Sequence, residues 1–342
     1  MNEPNQTGDS QIQRRRNLIR VLLALLCVWG LVTAVRFIWP ADSLAIARQA
    51  AKTGQYAQAV DAYRVYLESE PTDWEARAEL GVVLGEVDRP AALDELEMIP
   101  PTARVFGQTQ RELVRLCLAS GRQRRAEEAL KRLALHEPTD FVTHFTLGKM
   151  LFMQLRHKEA LPYVEEAARL TPDDPAAHFL LAELYDELGR IGEMAAPLER
   201  VIELDLDNYA AHLNLAYAYS SAGQPESAVR EAKWCLARNP SDTAAMRFLA
   251  RAAIDNGEHD AAMADVKRIL ELTPLDLDTR LLEAEILLFQ RDGKLALERL
   301  QPLVESNQKE RRLFSMLARA ATGAKQPELA AEYRKQVKAL SQ

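Results

Sequence analysis

Residues 170–190 read LTPDDPAAHFLLAELYDELGR, and residues 204–224 read LDLDNYAAHLNLAYAYSSAGQ. Laid over one another, they share the opening Leu, an Asp, Ala-Ala-His, a Leu-Ala, a Tyr and the closing Gly. The second copy begins 34 residues after the first. Self-similarity at a fixed period constrains a fold more than any single residue does. Each copy is one supersecondary unit that cannot bury its apolar face alone, so the copies must stack.

The rest of the chain keeps the same phase. Gly189 and Gly223 each close an apolar-periodic run. Gly121 and Gly257 fall in register with them, and Gly54 holds the matching place in the first unit. Glycine there can take the left-handed backbone that ends a helix. Upstream of this landmark small residues recur: Ala47, Gly148, Ala182, Ala216, Ala250, Ala284 and Ala318. Downstream come Ala59, Ala126, Ala160, Ala228, Ala262, Ala296 and Ala330. Small residues let two helix axes approach closely. Pro71, Pro138, Pro172, Pro240 and Pro274 then end the second helix, since proline forces the residue before it out of helix. Each unit is predicted to be helix, tight turn, helix, stop.

This pattern resembles the tetratricopeptide repeat (TPR) family, whose 34-residue signature places Leu, a small residue and Tyr in the first helix, then Gly, Ala and Pro at these spacings. The resemblance covers residues 40–342. It implies an all-α fold, an α-solenoid in which helix-turn-helix repeats coil into a right-handed superhelix. About nine repeats are expected, at 40–73, 74–106, 107–140, 141–174, 175–208, 209–242, 243–276, 277–310 and 311–342. The departures are specific. The second unit is one residue short, with Pro90 opening its second helix and Pro100-Pro101 closing it early. Val114 replaces a small residue in the third unit, and Met194 and Leu206 replace Ala and Pro in the fifth. Arg291 and Lys325 replace the landmark glycine in the eighth and ninth. The last helix mixes Glu, Arg and Lys among its apolar positions and is expected to serve as a solvating cap.

Ahead of the repeats, residues 1–17 are expected to form a disordered cytoplasmic tail. Arg14, Arg15, Arg16 and Arg20 precede VLLALLCVWGLVTAV, an uncharged run at 21–35. Extended to residues 18–39, the segment has 22 residues, enough for a membrane span of about 20 when Arg20 and Arg36 snorkel to the interfaces and Trp39 joins an aromatic belt. A transmembrane signal-anchor helix over 18–39 is therefore expected. The arginine excess on its N-terminal side places that end in the cytoplasm. The repeats would then be extracytoplasmic, and periplasmic in a bacterium. A cleaved signal ending at Val32-Thr33-Ala34 is a poorer fit, and Leu26 before Cys27 disfavours a lipoprotein signal. The chain carries −7 overall, while residues 1–39 hold five Arg against Glu3 and Asp9. The repeats are thus acidic, which argues against a nucleic-acid partner. Cys27, Cys117 and Cys235 are odd in number and form no C-x-x-C, so neither a disulfide framework nor a zinc knuckle is expected.

The sharpest chemical candidate is a ladder of His144, His178 and His212, spaced by 34. Equivalent positions in successive repeats lie on separate helices and cannot converge on one ion, so these side chains are expected to fill packing slots. Phosphate-loop, dinucleotide, metalloprotease and nucleophile-elbow motifs are missing from the sequence. Asp173-Asp174 read as caps on a first helix, and Cys117 and Cys235 as buried thiols. Neither an enzyme nor a cofactor is expected. What the resemblance implies instead is a concave groove lined by first helices. Its phase puts Phe145, Lys149 and Phe152 of the fourth unit inward, then Phe179 and Glu183, then Asn214 and Tyr217, then Arg247 and Arg251. Aromatics and Arg are enriched at binding hot spots, and the arginine pair is expected to meet a partner carboxylate. The family's carboxylate clamp needs a set order of basic and amide residues that this chain does not follow. The resulting expectation is a non-catalytic, membrane-anchored scaffold or assembly factor that holds a partner protein or peptide. A secreted or lipid-tethered binding protein, and an accessory subunit of an envelope enzyme complex, stand as alternatives.

Overall fold

The computed structural model describes residues 40–341. These form 18 α-helices and no strand, and the helices follow one another in pairs. The early pairs are α1 (Pro40–Lys52) with α2 (Tyr56–Ser69), α3 (Trp74–Val87) with α4 (Arg89–Glu97), α5 (Phe106–Ala119) with α6 (Gln123–His136), and α7 (Phe141–Met153) with α8 (His157–Leu170). Then come α9 (Pro175–Glu187) with α10 (Ala195–Leu204), α11 (Tyr209–Ser221) with α12 (Pro225–Arg238), and α13 (Thr243–Asp255) with α14 (His259–Leu272). The last are α15 (Leu277–Phe289) with α16 (Gly293–Leu300), and α17 (Arg311–Gly323) with α18 (Pro327–Ala339). The expected tail and membrane span lie outside the described residues. No described helix is long and apolar enough to cross a membrane.

One left-handed residue sets the turn inside most pairs. Gly54, Gly121, Gly189, Gly223 and Gly257 have φ between 67° and 78°. Leu155, Arg291 and Lys325 stand in the same phase with φ of 60°, 63° and 59°. An L side chain in that region costs about 1–2 kcal/mol. The flanking helices therefore impose the turn, and it survives loss of the glycine. The second pair is different. Asp88, with φ −146°, ends α3 and caps α4, accepting the Ala91 N–H at 3.2 Å. The missing residue has removed the left-handed position. With Pro90 in its first turn and Pro100-Pro101 beyond it, α4 is only nine residues long.

A second recurrence starts the first helices. Asp174, Asn208, Asp242, Asp276 and Glu310 share the 34-residue phase, and each side chain accepts a backbone N–H of the helix it opens. Each such cap is worth about 1 kcal/mol.

The chain divides into two compact units, one through Leu147 and one from Gly148. In the first, Ala47, Ala59 and Ala126 are fully buried. The Glu79 carboxylate of α3 receives the Tyr63 hydroxyl of α2 at 2.9 Å and Arg48 Nε of α1 at 2.9 Å, tying three helices at one point. Arg125 of α6 donates to Glu97 at 2.8 Å and Asp94 at 3.1 Å, which anchors the short α4.

In the second unit the small positions do what their spacing implies. Ala182, Ala216, Ala250 and Ala284 are fully buried, as are Ala160, Ala262 and Ala296. A Cβ on Gly148 would stand 2.5 Å from Val164 Cγ2. Met194 takes the alanine position of the fifth pair and is also buried. The larger side chain coincides with a 3-10 turn over Ile191–Glu193, and α10 begins only at Ala195. Leu329, Tyr333 and Val337 of α18, with Leu340 just beyond it, pack on a core built from Leu313, Phe314 and Leu317, while the charged residues between them stay exposed.

Candidate partner-binding groove

Within the second unit, the first helices of the last four repeats line one groove of about 850 Å3. The same inward positions recur in each helix. One column runs Tyr217, Arg251, Glu285, Arg319, and a second runs Arg247, Leu281, Ser315. Phe248, Leu282 and Met316 add apolar surface, and Val337 of α18 closes one side. The spacing of 34 that stacks the helices therefore also aligns the lining.

The columns are partly paired with themselves. Arg251 Nη2 meets Glu285 Oε2 at 2.9 Å, and its Nη1 lies 3.7 Å from Asp255 Oδ1. Arg247 Nη1 meets Asp276 Oδ2 at 3.0 Å. That carboxylate also accepts the Thr279 hydroxyl and backbone N–H. Burial pushes the Asp276 carboxyl up, but the bonds from Thr279 and Arg247 outweigh it and hold the group below the usual carboxylate range. Arg312 Nη1 meets Asp278 Oδ1 at 3.0 Å. The arginine pair expected to await a partner carboxylate, Arg247 and Arg251, is thus already engaged inside the chain.

The other expected residues are spread more widely. Tyr217 lines the groove half-buried, and burial first, then Asp186, raises its phenol above the usual range. Asn214 on α11 and Phe179 and Glu183 on α9 are half-buried and lie outside the groove lining. Burial raises the Glu183 carboxyl, with a further rise from Glu187. Lys149 is exposed on α7, and Phe152 of that helix rests its ring 5.3 Å from His157. Phe145 stacks on Phe141 at 5.5 Å. Leu281, Glu285, Ser315 and Arg319 were not among the expected residues. They sit one and two periods beyond Arg247 and Arg251, so continuing the same count through the eighth and ninth repeats finds them.

The histidine ladder has a different role. His144, His178 and His212 each place Nε2 near the carbonyl six residues earlier, that of Pro138, Pro172 or Leu206, at 3.1, 3.0 and 3.3 Å. Arg77 and Arg280 occupy the same first-turn position and donate to the Pro71 and Pro274 carbonyls at 3.1 and 2.9 Å. These side chains tie the loop between repeats to the helix that follows. His212 also faces Glu231 Oε2 through Nδ1 at 2.7 Å and stacks on Trp234 at 3.6 Å. The two described thiols, Cys117 and Cys235, are buried, and burial raises both, Cys235 to about 11. A thiol held protonated is a poor nucleophile.

The tetratricopeptide repeat pattern matches residues 111–175, 145–211 and 213–276. Tetratricopeptide repeats are therefore present in the chain, and the described residues form an all-helical TPR solenoid. Proteins of this class are in general interaction scaffolds. Among solved structures the chain is similar to YrrB, a TPR protein with an unusual peptide-binding site. The identity is 13%, covering 54% of this chain and 94% of that one, with a TM-score of 0.47. It is also similar to PilW, a widely conserved type IV pilus biogenesis factor, at 20% identity over 63% of this chain and 100% of that one, with a TM-score of 0.46. A third is MamA from Desulfovibrio magneticus RS-1, at 19% identity over 49% and 95%, with a TM-score of 0.42. No curated protein matches the chain.

Proposed function

We propose that this protein is a non-catalytic adaptor that holds a segment of a partner protein in the groove formed by α11, α13, α15 and α17, and that residues 18–39 tether it to a membrane. The observation that carries the binding role is the groove itself. It is open, it draws side chains from four successive first helices, and it combines an apolar floor of Phe248, Leu281 and Met316 with charged walls. Such a lining gives a peptide both buried area and orienting polar contacts. It presents a surface rather than an enclosed reacting centre.

Ser315 offers a clean test, because it is exposed and lines the groove without entering the core. A Ser315→Trp variant should fill the groove and leave the helical signal and melting temperature unchanged. Random peptides displayed on phage and selected on the full-length protein should be captured at least about tenfold less well by this variant, a loss of roughly 1.4 kcal/mol. Equal capture by both proteins would remove the groove from the binding function.

A further inference from the structure

Building on that groove, we propose that it selects an extended acidic segment with two carboxylates four residues apart and an apolar side chain midway between them, received by Arg311, Arg319 and the floor that separates them. The proposal rests on the adaptor reading above and names the chemistry of its ligand.

Five arginines line the groove. Three are neutralised by carboxylates of the chain: Arg247 by Asp276, Arg251 by Glu285 and Arg312 by Asp278. Both acidic residues in the lining, Asp278 and Glu285, are used in these pairs. Arg311 and Arg319 are exposed, and neither has a hydrogen-bond or ion-pair partner among the described residues. The groove therefore keeps two positive charges that no group among the described residues compensates, although the chain as a whole carries −7. The excess extends into its surroundings, since residues 311–339 hold seven Lys and Arg against Glu328 and Glu332. A concave site with one sign of surplus charge concentrates ligands of the other sign. Guanidinium forks bind carboxylates in a bidentate geometry that an ammonium cannot match.

The spacing narrows the ligand. Eight residues separate Arg311 from Arg319, which is about 12 Å along a helix. In an extended chain, residues i and i+4 lie about 13 Å apart, and i, i+2 and i+4 share one face. Met316 lies between the two arginines along α17, and Leu281 faces the same groove from α15. Acid, apolar, acid on alternate residues of an extended segment thus matches arginine, floor, arginine. Neither carboxylate needs to be a chain terminus.

The test uses the full-length protein in mild detergent and fluorescence polarisation of labelled acetyl-GSESLSESG-amide. The label sits on a serine outside the acid pair. This probe should bind in a salt-sensitive manner. Its isomer acetyl-GSEELSSSG-amide, of equal charge, should bind at least about fivefold more weakly if spacing is read. The free-acid form of the first peptide should bind no better than the amide. Arg311→Gln with Arg319→Gln should weaken the probe at least about tenfold, and Arg311→Lys with Arg319→Lys should recover only part of the loss. Both positions are exposed, and an unchanged melting curve checks that the fold is intact. Wild-type affinity in the double Gln variant would overturn the proposal. So would equal binding of the two isomers, a preference for a free terminus, tighter binding of a helical probe with acids at i and i+8, or capture of phosphatidylserine vesicles in place of the peptide. If Ser315→Trp abolishes phage capture while the double Gln variant leaves the probe unaffected, the adaptor reading stands and the diacid specificity falls. If Ser315→Trp leaves capture unchanged, the adaptor reading itself falls.

Discussion

Glu183 shows how a single half-buried residue can weaken its own fold. It sits half-buried on α9, and burial, then Glu187, raises its carboxyl. A raised native pKa means that the folded chain holds the proton more tightly than the unfolded chain. Stability therefore falls as pH climbs from the ordinary carboxylate range through the raised value, and the full penalty is present above it. Glu183→Gln should raise the melting temperature at neutral pH, and the gain should shrink as pH drops toward the ordinary carboxylate range. Thermal scans at several pH values check both the sign and the window. A gain independent of pH would place the penalty elsewhere. At this scale the sequence made Tyr217, Arg247 and Arg251 visible as groove residues, because phase alone fixes which side of a first helix they occupy. It could not show that Arg247 and Arg251 were already paired. Asp276 lies 29 residues beyond Arg247 and out of phase with it, and although Glu285 lies one full period beyond Arg251, whether two such side chains meet depends on their reach.

At the scale of elements, two glycines bring the backbone of one helix directly against that of the next. Gly293 opens α16, and Gly323 ends α17. A Cβ on Gly293 would press on the Gly323 carbonyl carbon and lie 2.6 Å from the Ala324 nitrogen. Those are backbone atoms, which cannot turn aside as a side chain can. Gly293→Ala should cost about 1–3 kcal/mol, visible as a lowered denaturation midpoint. Gly192→Ala, where nothing lies within 4 Å, serves as the control. If the two variants prove equally stable, this approach of α16 to α17 is looser than described. Helix order, the small-residue contacts and the proline stops were legible in the sequence because each repeats. The second and fifth pairs show what was legible only in part. Pro90 and Pro100-Pro101 announced a short α4, whereas Met194 gave no sign that a 3-10 turn would replace the start of α10.

For the whole molecule, the proposed tether sets the compartment in which the groove works. Arg14, Arg15, Arg16 and Arg20 precede the apolar run and favour a cytoplasmic N-terminus. A reporter active only outside the cytoplasm, joined after Gln342, should be active. Activity from a cytoplasm-dependent reporter alone would reverse the orientation. The repeats themselves are joined in a way that has a genetic consequence. The tie from His178 to the Pro172 carbonyl, like that from Arg280 to Pro274, begins and ends within seven consecutive residues. Both halves of the joint therefore travel on one short stretch of coding sequence. A tandem duplication that copies a whole period delivers a finished joint, with no second mutation needed to fit the newcomer to its neighbour. Afterwards each copy can drift from histidine to arginine on its own, provided a donor still reaches that carbonyl.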